Sequence, residues 1–347
     1  MPTITTHEKE TRMTAEAPAV WCDPGVFSKK FNIVPFEVEH ALSGSDLFSM
    51  PKLIELATKI SKAKKSIRTS GDLTCFLGRP GEGAKFPDGL SFPDSIEEVV
   101  HNLQHNDAWL VVHHVEHQPE YRQILESTIC DILRLTRQNL FRQIKKFDSI
   151  LFITSPNRKT PYHMDRECSW LFQLQGDKEI HLFDRADEDV VTNAELESFW
   201  ASNNDAAVYK PGFEHRAFVF QLRPGNGVHI PVNTPHWLHN KSNISVSLNV
   251  NFHFHDSVLG NIYKSNYYLR RLGMNPVRAG RNRGLDRTKS LCYTAGQHLK
   301  HIVKRTEYVP AVANEQKKRI ERIFGQGSRA SLSDHLDERP VDSGRQP

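Results

Sequence analysis

The chain reads as a mainly β protein with flanking helices, and three observations carry that reading. Short apolar runs follow one another from Ser149 to His255, turn residues divide them, and helical periodicity is confined to the segments on either side. The runs are ILFIT, SWLFQLQ, KEIHLF, AFVFQL, VHIPV and ISVSLNVNFHF. Short strands in such close succession indicate a sandwich or barrel. Two turns predict antiparallel neighbours: Gly176-Asp177 as a two-residue hairpin connection between SWLFQLQ and KEIHLF, and Pro224-Gly225-Asn226-Gly227 between AFVFQL and VHIPV.

The remaining elements follow in chain order. Residues 1–20 are polar and aperiodic and read as a disordered arm. Residues 21–148 form a mixed α/β part expected to pack on the barrel. Within it, Leu53, Leu56, Ala57 and Ile60 stand at helical spacing over 50–63, as do Ile124, Leu125, Ile129, Ile132 and Leu133 over 124–135. Between these helices lie a Gly- and Pro-rich loop, 78–93, and the strand-like run AWLVVHHV at 108–115. Residues 149–256 are expected to form the barrel core that carries the chemistry, 257–324 a basic helical region and 325–347 a disordered tail rich in Ser, Asp, Arg and Pro.

Composition removes several classes of function. A chain of 347 residues buries a sizeable core without staples. Its five cysteines are odd in number and contain no CxxC pair, so reduced thiols and a cytoplasmic location are expected. No uncharged apolar run approaches the roughly 20 residues of a membrane span, and no secretion signal opens the chain. A net charge of +4 is too mild to argue for nucleic acid. The unusual count is histidine, at 18.

The chemistry gathers at His163-Met164-Asp165. Residues i and i+2 of a strand project to one face, so an imidazole and a carboxylate stand side by side while Met164 packs behind. A third ligand must come from another strand, and His236 follows the run VHIPV. Two His and one carboxylate leave metal positions open for co-substrate and oxygen, as in non-heme Fe(II) oxygenases. His239, three residues on, is the alternative third ligand.

Over about Asn157 to Phe254 the chain resembles the JmjC-like cupin family of 2-oxoglutarate oxygenases, closest to its asparaginyl hydroxylase branch. The residues that carry the resemblance are TPYHMD from Thr160, the turn Gly176-Asp177-Lys178, PGNGVHIPVNTPHW and SVSLNVNF. Asn226 stands where the family usually has Asp, and His253 where it usually has an aromatic residue. The resemblance implies a double-stranded β-helix (a jelly-roll cupin barrel) with Fe(II) held by His163, Asp165 and His236. It also implies 2-oxoglutarate and O2 as co-substrates. Lys178 would bind the distal carboxylate of 2-oxoglutarate, with Thr160 and Asn251 assisting. The implied activity is hydroxylation of a substrate C–H bond coupled to decarboxylation of 2-oxoglutarate to succinate. The primary substrate would be a protein side chain or a small molecule in preference to RNA, and the C-terminal helices would form a homodimer.

The residues support these roles on their own terms. A buried carboxylate needs a paired cation, and Lys178 opens a strand expected to lie in a hairpin beside the His163 strand. In ISVSLNVNFHF one face is polar (Ser247, Asn249, Asn251, His253) and would line the cavity, although Ser247 and Asn249 are equally compatible with a surface. Cys168 packs on the opposite strand face, and His113, His114, His117, His181, His229 and His255 read as hydrogen-bonded core or surface residues. Arg216 and Arg223 are the next candidates for the carboxylate anchor. The run 264–305 holds eleven Lys and Arg against Asp286 alone, with Tyr267, Tyr268, Leu269 and Leu272 supplying apolar surface. Two rival classes fit the barrel: a Zn or Mn cupin enzyme with no need of Lys178, and a non-catalytic cupin-like regulatory protein.

Overall fold

The computed structural model describes residues 18–63, 72–78, 95–135, 140–254, 257–304 and 318–321, the side chains at 63, 257 and 298–304 excepted. Most of the expected N-terminal arm, the tail 325–347, the loop 79–93, His255 and Arg305 lie outside the described residues. In chain order the elements are β1 (Val20–Trp21), α1 (Pro24–Lys30), β2 (Phe36–His40), α2 (Met50–Ala63), β3 (Leu73–Phe76), α3 (Ile96–His101), β4 (Trp109–His113) and α4 (Pro119–Leu135). The barrel strands follow: β5 (Ile144–Thr154), β6 (Lys159–His163), β7 (Cys168–Gln175), β8 (Lys178–Leu182), then α5 (Asn193–Trp200), β9 (Phe218–Leu222), β10 (Asn226–Ile230), β11 (His236–Asn240) and β12 (Ser245–Phe254). Two helices close the chain, α6 (Ser257–Arg271) and α7 (Arg283–Lys304).

The strands make two sheets with every pairing antiparallel. One has the order β1-β2-β10-β7-β12-β5-β4-β3 and the other β6-β11-β8-β9. Leu171, Val228 and Ile230 of the larger sheet meet Ile180, Leu182, Leu222 and Leu238 of the smaller in one buried cluster, so the sheets lie face to face. From β5 to β12 the chain passes repeatedly between them, which makes the fold a double-stranded β-helix. The N-terminal segment adds β1 to β4 to the larger sheet.

Both hairpins expected from the turns are corrected by this topology. β7 pairs with β10 and β12 while β8 pairs with β9 and β11, so Gly176-Asp177 steps from one sheet to the other. The turn from β9 to β10 does the same. A sheet switch and a hairpin both need a tight reversal. Gly176 has φ +68°, and a Cβ there would come within 2.2 Å of the Asn243 side chain and the Ile244 carbonyl.

β12 lies between β7 and β5 and is buried on both faces. Val246, Leu248, Val250 and Phe252 pack into the main core with Leu53, Leu56, Ala57 and Ile60 of α2 and Leu125, Ile129, Ile132 and Leu133 of α4. Each such side chain contributes about 1.5–3 kcal/mol by leaving water. The helices therefore cover the outer face of the larger sheet, and the polar face of β12 is left to the space between the sheets. Ser247 and Asn249, open between surface and cavity by sequence, are both buried. Two other expectations hold. His229 is enclosed among Phe31, Phe36 and Trp170, and burial pushes its imidazole down to about 3. Cys168 is fully buried.

Candidate metal centre

β6 is an edge strand and ends at His163, so Asp165 lies beyond it. The expectation that both sit on one strand face is corrected in its reason, although the two side chains do meet. Backbone contacts place Asp165: its carbonyl accepts a hydrogen bond (2.8 Å) from the N–H of Asn233, in the turn before β11. Asn233 has φ +63°, and its side-chain oxygen accepts from Trp200 Nε1 at 3.0 Å. Met164 packs behind, as expected, against Val191, Leu196, Phe199 and Tyr263.

His163 faces inward because β6 carries a bulge. His236 pairs with His163 and Leu238 with Thr160, so three steps on β6 match two on β11. The extra residue lets Thr160 and His163, at odd spacing, share the cavity face, and Pro161 is tolerated there because the strand is an edge. On β11 the two-residue period separates the two histidines: His236, Leu238 and Asn240 are buried, whereas Trp237 and His239 point to the other face. His239 is thereby separated from the group.

The atoms of this group are arranged around a common point. Asp165 Oδ2 lies 4.0 Å from His163 Nε2 and 3.7 Å from His236 Nε2. All three donor atoms fall within 4.8 Å of one another. These separations exceed the about 2.7–3.2 Å of a direct N–H···O bond and suit an ion between the donors. Each imidazole is oriented by its other nitrogen: His163 Nδ1 lies 2.7 Å from the Pro161 carbonyl and His236 Nδ1 2.9 Å from that of Thr234. A carbonyl only accepts, so Nδ1–H donates and Nε2 is left with a lone pair, the form a metal takes. Burial, then the neighbouring His163, pushes His236 down to about 4, which keeps it neutral at physiological pH. His236 has 4 % of its side chain exposed against 35 % for His163 and 33 % for Asp165, so the group opens to solvent on the His163 and Asp165 side.

The cavity beside the group is walled by Leu171, Ile230 and Leu238 and by Phe152 and Trp109. Thr154, Thr160, Lys178 and Asn249 supply its polar lining. Lys178 pairs with Asn240 on β11, four residues beyond His236, or roughly 13 Å of strand at about 3.3 Å per residue. It therefore enters the cavity from the far end of the same sheet, two strands from β6, and not through the hairpin the sequence implied. Its Nζ donates to Ser247 Oγ at 2.7 Å, and Ser247 Oγ donates in turn to Gln173 Oε1 at 2.7 Å. No carboxylate pairs with it among the described residues. Burial pushes its ammonium down to about 7. Arg216 instead binds Asp187 and Asp189 outside the cavity, and Arg223 is exposed, so neither replaces Lys178.

Asn251 stands one pair of positions further along β12 and does not line the cavity. Its Oδ1 accepts from Ser169 Oγ (2.7 Å) and Asn249 Nδ2 (3.0 Å), and its Nδ2 donates to Asp148 Oδ1 (2.8 Å). The cavity residue on that strand is Asn249. Sequence reasoning also missed Phe152, Trp109 and Asn233. The first two sit in apolar strands with nothing to mark them, whereas an Asn beside Thr-Pro is a recognisable turn signal.

No family model and no curated protein matches the chain. Among solved structures it is similar to YcfD of Escherichia coli, at 14 % identity over 89 % of this chain and 68 % of that one, with a TM-score of 0.46. A structure of that ribosomal oxygenase in complex with cobalt and 2-oxoglutarate gives 15 %, 88 %, 66 % and 0.44. A mutant of Bacillus subtilis oxalate decarboxylase OxdC gives 10 %, 48 %, 33 % and 0.25. The chain thus spans about two thirds of the YcfD chains it resembles.

Proposed function

We infer that the chain is an Fe(II)- and 2-oxoglutarate-dependent oxygenase that hydroxylates a substrate C–H bond. The observation that carries the reading is Lys178, a fully buried lysine without a carboxylate partner among the described residues, aimed into the cavity that ends at His163, Asp165 and His236. A buried cation is costly unless an anion joins it, and here the anion must come from a ligand. A diacid that chelates a metal at one end and presents a carboxylate at the other fits a site with its cation at the opposite end. A Zn or Mn cupin enzyme that does not use such a ligand leaves Lys178 without a purpose.

The donor set suits iron. Two imidazoles and one carboxylate leave coordination positions open, and bound Fe(II) would supply oxygen activation there. The chain's own residues do the rest. Lys178 pairs with the distal carboxylate, Ser247 holds the ammonium in place, and Thr160 and Asn249 offer further polar contacts. Leu171, Ile230 and Leu238 exclude water from the diacid. The primary substrate, a protein side chain or a small molecule, approaches on the partly exposed His163 and Asp165 side. The C-terminal helices would mate two copies, since Tyr268 of α6, Leu272 just after it and Leu285 and Leu291 of α7 expose apolar surface.

The test is anaerobic addition of Fe(II) and 2-oxoglutarate. The visible charge-transfer band of the chelate is expected in the native chain and absent in His163→Ala. Its absence from the native chain, together with no succinate formed, overturns the reading.

A further inference from the structure

A second group of metal-binding donors lies at the junction of β4 and α4. The junction is a single 3-10 turn, Val115–His117, with His114 as its leading residue. His114 adopts φ +55° and ψ +44°, a left-handed conformation that histidine tolerates better than most residues. The conformation brings its imidazole over the turn, stacked on that of His117 with ring centroids 5.1 Å apart. The buried carboxylate of Glu116 sits with both.

The two oxygens of Glu116 have different surroundings. Oε2 accepts from the Ser149 backbone N–H at 2.9 Å and the Ser149 hydroxyl at 2.6 Å, while Ser149 Oγ accepts from the Glu116 N–H at 3.2 Å. This closed set of bonds anchors the carboxylate to β5. Oε1 is left facing the histidines, 3.4 Å from His114 Nδ1 and 3.9 Å from His117 Nε2. Both distances are longer than the about 2.7–3.2 Å of a direct hydrogen bond. Two atoms each about 2.0–2.1 Å from a tetrahedral zinc stand about 3.4 Å apart, which the His114–Glu116 pair already matches, while His117 needs to close by about half an ångström. The three atoms fall within 4.8 Å of one another.

The surroundings favour a cation. Glu116 acts on His114 first through its direct contact and then through its charge, to which Asp148 and Asp72 add theirs. The nearby Arg122 is turned to the main chain, donating to the carbonyls of Glu116 and His117 at 3.4 Å each. A carboxylate ligand held by hydrogen bonds from behind is the usual support of a protein metal site.

We propose that His114, Glu116 and His117 bind a second divalent ion of the zinc type, which braces the β4–α4 turn beside its Glu116–Ser149 anchor on β5. Water completes the coordination, because His114 and His117 are partly open to solvent. The role is structural, since all three donors belong to one turn whose carboxylate is already anchored to β5.

The test uses the full chain with the central donors removed, His163→Ala/His236→Ala, stripped of metal and titrated with Co(II) alone. This makes it independent of the oxygenase reading. One equivalent is expected to bind, with visible d–d bands of a four- or five-coordinate ion, and to raise the unfolding temperature. Adding His117→Ala, an exposed position, should abolish that equivalent. His114→Gly, which accepts the left-handed backbone, should do so as well. In the native chain, whatever the central group binds, either substitution should lower the count by one. The proposal is overturned if the central-site variant binds no Co(II). It is equally overturned if the equivalent survives both substitutions, which would make it adventitious binding elsewhere.

Discussion

The two groups of two histidines and a carboxylate are alike in their donors and differ in how the chain assembles them. His114, Glu116 and His117 belong to one turn, and folding that turn brings them together locally. His163, Asp165 and His236 depend on the pairing of β6 with β11, on a bulge and on the Asn233 link, so they exist only once the barrel has closed. The central group also faces a cavity with a buried lysine at its far end, whereas the group in the turn is backed by the bonds from Ser149 to Glu116. Donor identity tells what ion a site can hold. The second charge in the cavity tells what the ion is for.

The sharpest way to break this comparison is at the third central donor. His236→Ala should abolish stoichiometric Fe(II) binding and with it all succinate formation, because two donors do not hold the ion at working concentrations. His239→Ala, on the outward face of the same strand, should keep both. Metal analysis of the two purified variants checks this, and the reverse pattern would sink the assignment by strand face.

Lys178 gives the next largest effect. Removing one partner of a buried ion pair costs about 3–5 kcal/mol. Such a loss weakens 2-oxoglutarate by roughly 100-fold or more. Lys178→Ala should therefore raise the 2-oxoglutarate concentration needed for half-maximal turnover by that factor with Fe(II) loading unchanged. Lys178→Arg should fall between, keeping the charge while changing reach and geometry. An unaltered 2-oxoglutarate requirement in Lys178→Ala would make the two groups more alike than we argue.

How much of this was legible beforehand follows from the range of the interactions involved. The helical faces of α2 and α4 and the two-sided pattern of β12 are written in local periodicity, and they appear in the structure as read. His163, Asp165, Lys178 and His236 are all marked by motif and spacing, and the structure brings them to one cavity. The route was not legible. Gly176-Asp177 looks like a hairpin because any tight reversal does, and only the long-range choice of β12 and β10 as partners for β7 turns it into a sheet switch. The bulge that aligns Thr160 with His163 has no local mark beyond Pro161. The burial of Lys178 was hidden by its place after a turn, where lysines are usually exposed, and Asn249 was indistinguishable from Asn251 because both lie on the same strand face.

The pH dependence of the Lys178 end sharpens the contrast further. Its pKa in the ligand-free protein is about 7, against 10.5 for an ordinary lysine. Between those values the folded protein holds fewer protons than the unfolded chain, so ligand-free stability should rise with pH through this window and gain nothing below it. Pairing with a carboxylate raises the pKa again, so binding takes up a proton above pH 7. Affinity for 2-oxoglutarate should then fall by up to about tenfold per pH unit above 7. Calorimetric titrations with metal-loaded protein at pH 7 and 8.5 measure this. Lys178→Met should flatten the stability profile, and a profile that keeps its slope in that variant would assign the titration to another group.

Ser247 gives the smallest effect and tests what holds the lysine. Its hydroxyl accepts from Lys178 and donates to Gln173, whose amide nitrogen is fixed by the Gln175 and Gly176 carbonyls and by Ser245 Oγ. Through this chain the sheet-switch turn and the ammonium share one hydrogen-bonded network. Ser247→Ala leaves the ammonium its charge and its anionic ligand, so the ion pair survives and only its positioning loosens. A net hydrogen bond is worth about 1 kcal/mol, which is a factor of roughly five in affinity. We therefore expect the half-saturating 2-oxoglutarate concentration to rise about fivefold in Ser247→Ala, with the maximal rate and Fe(II) loading unchanged. Ser247→Thr, which restores a hydroxyl on a strand that accepts β-branching, should recover most of the loss. A loss as large as that of Lys178→Ala would mean that the hydroxyl, rather than the ammonium, anchors the carboxylate.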